Sequence, residues 1–135
     1  MRIEHVAIWT EDLDRLKDFY CRRLGGVANE VYVNEAKRFR SHFISFGTGA
    51  RLEIMSRPDI PANANDTVGT QHRGLIHLAF EVPTMEEVDR LAATFRELGL
   101  PILSGPRRTG DGYYEFETLD PDKNRIEVTT LFRDH

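Results

Sequence analysis

A single cysteine, Cys21, among 135 residues leaves no internal disulfide to form and no second thiol for a redox pair or a soft-metal site. Cys21 falls in a helical pattern with Phe19, Tyr20 and Leu24, which is the setting of an inert structural thiol. No apolar run approaches the roughly 20 residues that span a bilayer, and a strand-like stretch follows Met1 directly, so the chain reads as cytoplasmic with no membrane partner. An excess of basic residues is also missing. Lys and Arg number 18 against 22 Asp and Glu, a formal charge of -4, and the pairs Arg22/Arg23 and Arg107/Arg108 sit among acids. A polyanion would meet no positive field here, which excludes nucleic acid as the expected partner and leaves small molecules. What remains is a 40% hydrophobic chain of one-domain length, enough for an ordinary buried core.

The first half opens with Ile3 to Trp9, where Val6 and Ile8 share one strand face and His5, Ala7 and Trp9 the other. A helix is expected next, capped by Thr10, with Glu11 and Asp12 near its N-terminal dipole and Leu13, Leu16, Phe19, Tyr20 and Leu24 as its apolar stripe. Gly25 and Gly26 end it, and strands follow at Val31 to Val33, His42 to Phe46 and Arg51 to Met55. After a polar stretch over 56–73, Leu75 to Val82 restarts the pattern. Thr84 and Glu87 have capping-box spacing, Val88, Leu91, Ala92, Phe95 and Leu98 make a second stripe, and Gly99 stops it. Strands are expected around Pro101 to Leu103, Tyr113 to Leu119 and Arg125 to Thr130. The fold class is therefore α+β: two tandem βαβββ modules, about 1–55 and 74–131 with a linker over 56–73, in one domain over 1–135. Their mixed sheets should curve into a cup with the helices on its convex side.

Polar residues repeat with the modules. His5 to His77 is 72 residues and Glu53 to Glu127 is 74, and Leu24-Gly25-Gly26 answers Leu98-Gly99-Leu100 at the helix ends. Each of His5, Glu53, His77 and Glu127 alternates with apolar neighbours on its strand, so all four are expected on the face away from the helices. Two imidazoles and two carboxylates suit a divalent Zn, Ni, Fe, Co or Mn ion. Singly, an outward strand Glu is solvated and a strand His structural; two matched pairs favour a metal site. His42, His72 and His135 have no matching partner. His42 alternates with Ile44 and Phe46 as a packed or edge residue, and His135, the last residue, is expected to be disordered.

Several stretches together resemble the vicinal oxygen chelate superfamily of glyoxalases, bleomycin-resistance proteins and extradiol dioxygenases. They are Ile3-Glu4-His5-Val6-Ala7-Ile8, Phe19-Tyr20 before Leu24-Gly25-Gly26, Leu52-Glu53-Ile54, Gly74 to Phe80, and Asp120 to Glu127. The His, Glu, His, Glu order is similar to that of glyoxalase I. That resemblance implies a nickel or zinc ion on His5, Glu53, His77 and Glu127, with Glu53 and Glu127 as candidate catalytic bases, and a homodimer. Four protein ligands leave two adjacent metal positions for a substrate with neighbouring oxygens. Chelation acidifies the C–H beside a carbonyl, and a carboxylate then moves the proton. A glyoxalase-like lyase or isomerase is the expected function. An extradiol-type dioxygenase is the second reading, less suited because its facial triad keeps three positions open. A metal-free drug-binding resistance protein is the third. Trp9, Phe43 and Tyr113, with Tyr114, are candidates to line the substrate pocket, and Arg107, with Arg38, Arg40 and Arg108, to pair with a substrate anion. In glyoxalase I the place of Trp9 is typically an arginine for a glutathione carboxylate, so efficient use of glutathione is not expected.

Overall fold

The computed structural model describes residues 1–64 and 66–132. They fall in two compact units, Met1–Ala64 and Asn65–His135, each taken by itself below. His135 lies outside the described residues.

The first unit runs β1 (His5–Trp9), α1 (Leu13–Leu24), β2 (Val27–Ala28), β3 (Tyr32–Asn34), β4 (Phe39–Ser45) and β5 (Arg51–Ser56). Its sheet has the order β1-β5-β4-β2, with β3 also on β4; β1 and β5 are parallel and the other pairs antiparallel. The second unit runs β6 (His77–Glu81), α2 (Met85–Glu97), β7 (Ile102–Arg108), β8 (Tyr113–Leu119) and β9 (Arg125–Leu131), in the order β6-β9-β8-β7 with β6 and β9 parallel. Each unit is thus a βαβββ module with a mixed sheet, and the first carries β2 in addition. Among the described residues no helix is long and apolar enough to cross a membrane.

Strand alternation decides which face each module buries. In the first, Leu13, Leu16, Phe19 and Tyr20 of α1 are buried together with Ile44, Leu52 and Ile54 of the sheet. In the second, Val88, Ala92 and Phe95 of α2 meet Phe116, Ile126 and Val128, with the Phe95 and Phe116 rings edge to face at 5.6 Å. Each buried Val, Leu, Ile or Phe among them contributes about 1.5 to 3 kcal/mol by leaving water. The odd-numbered residues of β1, β5, β6 and β9 are left on the opposite face.

Three local expectations are corrected. Asp12, not Thr10, caps α1: its side chain accepts from the Arg15 amide at 3.1 Å. Thr10 is held to β5 by its own amide, which donates to the Met55 carbonyl at 2.8 Å, and the helix starts later. At Thr84 only half of the capping box forms. The hydroxyl accepts from the Glu87 amide at 3.2 Å, while the Glu87 carboxylate turns to Arg90 at 2.6 Å. Leu98 is exposed, because the left-handed turn at Gly99 (φ 72°) closes the helix with Leu100 donating to Phe95 and carries Leu98 off the stripe.

Candidate metal centre

The repeat seen in the sequence is a repeat of register. In the first module His5 lies opposite Arg51 and Ala7 opposite Glu53; in the second His77 lies opposite Arg125 and Ala79 opposite Glu127. The small side chain at Ala7 or Ala79 leaves the histidine two residues earlier room to lean toward the glutamate. His5 Nε2 stands 3.8 Å from Glu53 Oε1, and His77 Nε2 stands 3.4 Å from Glu127 Oε2. Both carboxylates are mostly covered, at 17% and 15% side-chain exposure, while the imidazoles are open at 41% and 37%.

Two ligand atoms each about 2.0 to 2.2 Å from one ion are roughly 2.8 to 3.6 Å apart at octahedral or tetrahedral angles. The 3.4 Å of His77 and Glu127 lies in that range and the 3.8 Å of His5 and Glu53 just above it, so both pairs have the donor set of half of a four-ligand site and the second also has its spacing. In the first module a further carboxylate completes the arrangement. Glu4 contacts His5 Nδ1 at 2.5 Å and accepts from Arg51 Nε at 2.7 Å, and these two bonds, the one to His5 first, lower its pKa. An anion behind Nδ1 fixes the ring and directs Nε2 forward. The residue before His77 is Ile76, so the second module lacks this support.

Phe43 lies opposite Glu53 on β4 and meets the His5 ring edge to face at 5.3 Å, with the Arg51 guanidinium 4.1 Å over its own ring. Trp9 shares the His5 face of β1 and is 39% exposed. Its ring contacts Phe39 at 6.0 Å and lies 5.3 Å from the Arg57 guanidinium, which pairs with Asp59 at 2.7 Å. Tyr113 is half-buried on β8, opposite Leu131, and Arg107 is exposed on β7, opposite Glu115. Tyr114 alternates to the helix side, where its hydroxyl donates to Asp89 of α2 at 2.5 Å. His42 is buried at the helix-facing side with Nδ1 2.9 Å from the Asn29 carbonyl, and His72 is exposed in the stretch before β6.

Glu115 and Glu117 were not singled out from the sequence. Glu117 lies opposite Glu127 and Glu115 opposite Thr129, and carboxylate oxygens of Glu115, Glu117 and Glu127 lie within 4.8 Å of one another. Arg125 donates to Glu117 at 2.6 Å. Burial, then the charges and hydrogen bonds of Glu115 and Glu117, push the Glu127 carboxyl up to about 7. In the metal-free protein a carboxyl at that value is partly protonated at neutral pH. The signal for Glu115 and Glu117 was present, since both alternate with Phe116 on a predicted strand; their closeness to Glu127 depends on the β8–β9 register.

A family model described as the Glyoxalase/Bleomycin resistance protein/Dioxygenase superfamily matches residues 2–128. Uncharacterized protein YwkD of Bacillus subtilis (strain 168) is 31% identical over 130 residues, 93% of this chain and 94% of that protein. Among solved structures, a trypanothione-dependent glyoxalase I of Leishmania major is similar with a TM-score of 0.75 and 25% identity, over 98% of this chain and 86% of that one. A glyoxalase family protein of Enterococcus faecalis is similar with a TM-score of 0.73 and 27% identity, over 95% and 96%.

Proposed function

The chain belongs to the glyoxalase/bleomycin resistance protein/dioxygenase superfamily, and we propose that it is a metal-dependent, glyoxalase-like lyase or isomerase. The observation that carries this reading is the His–Glu pair found at the same register in both modules. One pair offers two ligands and a structural or catalytic site takes three or four, so His5, Glu53, His77 and Glu127 would hold one ion, nickel or zinc first. Bound there, the ion supplies a Lewis acid to a substrate with two neighbouring oxygens.

The protein's own groups do the rest. Glu127 takes the proton from carbon beside a carbonyl and returns it to the neighbouring position. Glu53, the equivalent group of the first module, is the other candidate base. Glu4 holds the His5 ring in place. Phe43 walls the His5 side, and Trp9, Tyr113 and Arg107 meet the substrate's remainder. The substrate is a small molecule, and the unpaired Cys21 suits the reducing cytoplasm.

Trp9 bears on the cosubstrate. Where an arginine would bind a glutathione carboxylate there is an indole, and the Arg57 guanidinium beside its ring pairs with Asp59. Losing a charge-assisted pair costs roughly 2 to 5 kcal/mol, or about 30- to 4,000-fold. The test is turnover of the methylglyoxal hemithioacetal of glutathione beside those of other thiols and 2-hydroxy ketones, on nickel-, zinc- and cobalt-loaded protein. We expect turnover with at least one of the others and kcat/KM below about 10⁵ M⁻¹s⁻¹ with glutathione. No turnover of any of them with any metal would remove the reading.

A further inference from the structure

An arginine occupies the same register place beside the histidine in both modules. Arg51 lies opposite His5, and Arg125 lies opposite His77. Each turns to the residue that faces the module's glutamate from the neighbouring strand. The Arg51 guanidinium lies 4.1 Å over the ring of Phe43, which is opposite Glu53; Arg125 Nη1 donates at 2.6 Å to Glu117, which is opposite Glu127. The two arginines differ in burial. The Arg51 side chain is 39% exposed, whereas that of Arg125 is 9% exposed and is pinned by its Nη2, which donates to the Thr67 carbonyl at 2.6 Å. A guanidinium stays charged when buried, and among the described residues the ion pair of Arg125 is with Glu117. Separating such a pair would strand a charge on each side, so Glu117 is held firmly.

Glu127 has two sets of neighbours that could share a metal with it. One is His77, with Nε2 at 3.4 Å; the other is Glu115 and Glu117, with carboxylate oxygens within 4.8 Å. Imidazole with carboxylate suits nickel or zinc, while carboxylates alone suit a hard ion such as calcium. We propose that Arg125 is a positioning residue that sets metal choice: by holding Glu117 it keeps that carboxylate from coordinating and leaves Glu127 to the ion on His77. Arg125 acts through Glu117 and touches neither metal nor substrate. The first module supports this by contrast. There the place of Glu117 is taken by Phe43, which offers no oxygen to restrain, and the arginine pairs instead with Glu4. The inference rests on the metal-binding reading above for His77 and Glu127.

The test is a gain of binding. Calorimetric titration of the metal-free protein with calcium, at low ionic strength and about pH 8 so that the carboxyls are ionised, should show millimolar or weaker affinity. Arg125→Gln removes the charge while keeping a donor for Glu117, and should bind calcium at least about tenfold tighter. Adding Glu117→Gln should return the affinity to within about threefold of the original. Damage to the fold would weaken binding and would not be reversed at Glu117. No gain in Arg125→Gln, or a gain that persists in the double variant, overturns the inference. A second measurement stands whether or not Arg125→Gln folds. In a chelator competition Glu117→Gln alone should hold nickel within about threefold of the original protein, since Glu117 is not a ligand. A loss of about tenfold or more would make Glu117 a ligand and overturn the inference. The two readings fail separately. Nickel binding without the calcium gain removes the role of Arg125 alone; the calcium gain and its reversal in a protein that never binds nickel support that role and remove the His–Glu site.

Discussion

A histidine ligand is strengthened when a carboxylate fixes its tautomer, and Glu4 stands against Nδ1 of His5 in this way. Glu4→Gln keeps the shape and removes the charge, so metal affinity should fall about 10- to 100-fold in a chelator competition. An unchanged affinity would make the 2.5 Å contact incidental. Glu127 sets a pH dependence. Its folded-state pKa, about 7, is above the ordinary 4.5, so its contribution to stability is fully present below the ordinary value and is lost as pH rises through 7. The metal-free protein should therefore melt at progressively lower temperature from about pH 5 to about pH 8, and Glu127→Gln should flatten that trend. The strand face that carries His5, Glu53, His77 and Glu127 was legible because each alternates with core side chains, a pattern set by the strand itself. Glu4 was not, since a glutamate at the start of a strand reads as solvated until the neighbouring Arg51 is seen beside it. Glu115 and Glu117 are brought to Glu127 by pairing of β8 with β9, which one sequence does not fix.

Elements with strong periodicity were read well and short ones were not. The spacing of Val88, Ala92 and Phe95 sufficed for α2, whereas β2 is two residues long and offers no alternation to read. The strand expected at Val31 to Val33 is displaced by one residue to Tyr32–Asn34, because pairing with β4 and not local pattern sets its ends. β7 shows how register is enforced. Its pairing with β8 shifts between Ile102 and Ser104 and again between Ser104 and Arg107. Inside this irregularity Gly105 (φ 84°) approaches β8 so closely that a Cβ would lie 2.5 Å from the Glu115 carbonyl oxygen and 3.0 Å from the Phe116 Cα. Gly105→Ala combines a left-handed backbone with a backbone clash and should cost about 2 to 5 kcal/mol in urea denaturation. A loss below about 0.5 kcal/mol would show that the β7–β8 contact yields easily.

At the scale of the whole molecule, the family fold was legible because the same polar and glycine landmarks occur twice along the chain. Each sheet also ends on a strand paired on one side only within its module, β1 in the first and β6 in the second. Such edges invite pairing, and a homodimer is the expected state. Light scattering at micromolar concentration should give twice the 15.6 kDa of one chain; a mass of 15.6 kDa would contradict it. The central claim is that the two His–Glu pairs serve a single ion, and metal stoichiometry tests it most directly. Elemental analysis of protein equilibrated with nickel or zinc should give one equivalent per chain. His5→Ala and His77→Ala should each bring it close to zero, while His42→Ala, altered on the helix side, keeps it. No bound metal, or two equivalents of which one survives in each single variant, would contradict the account.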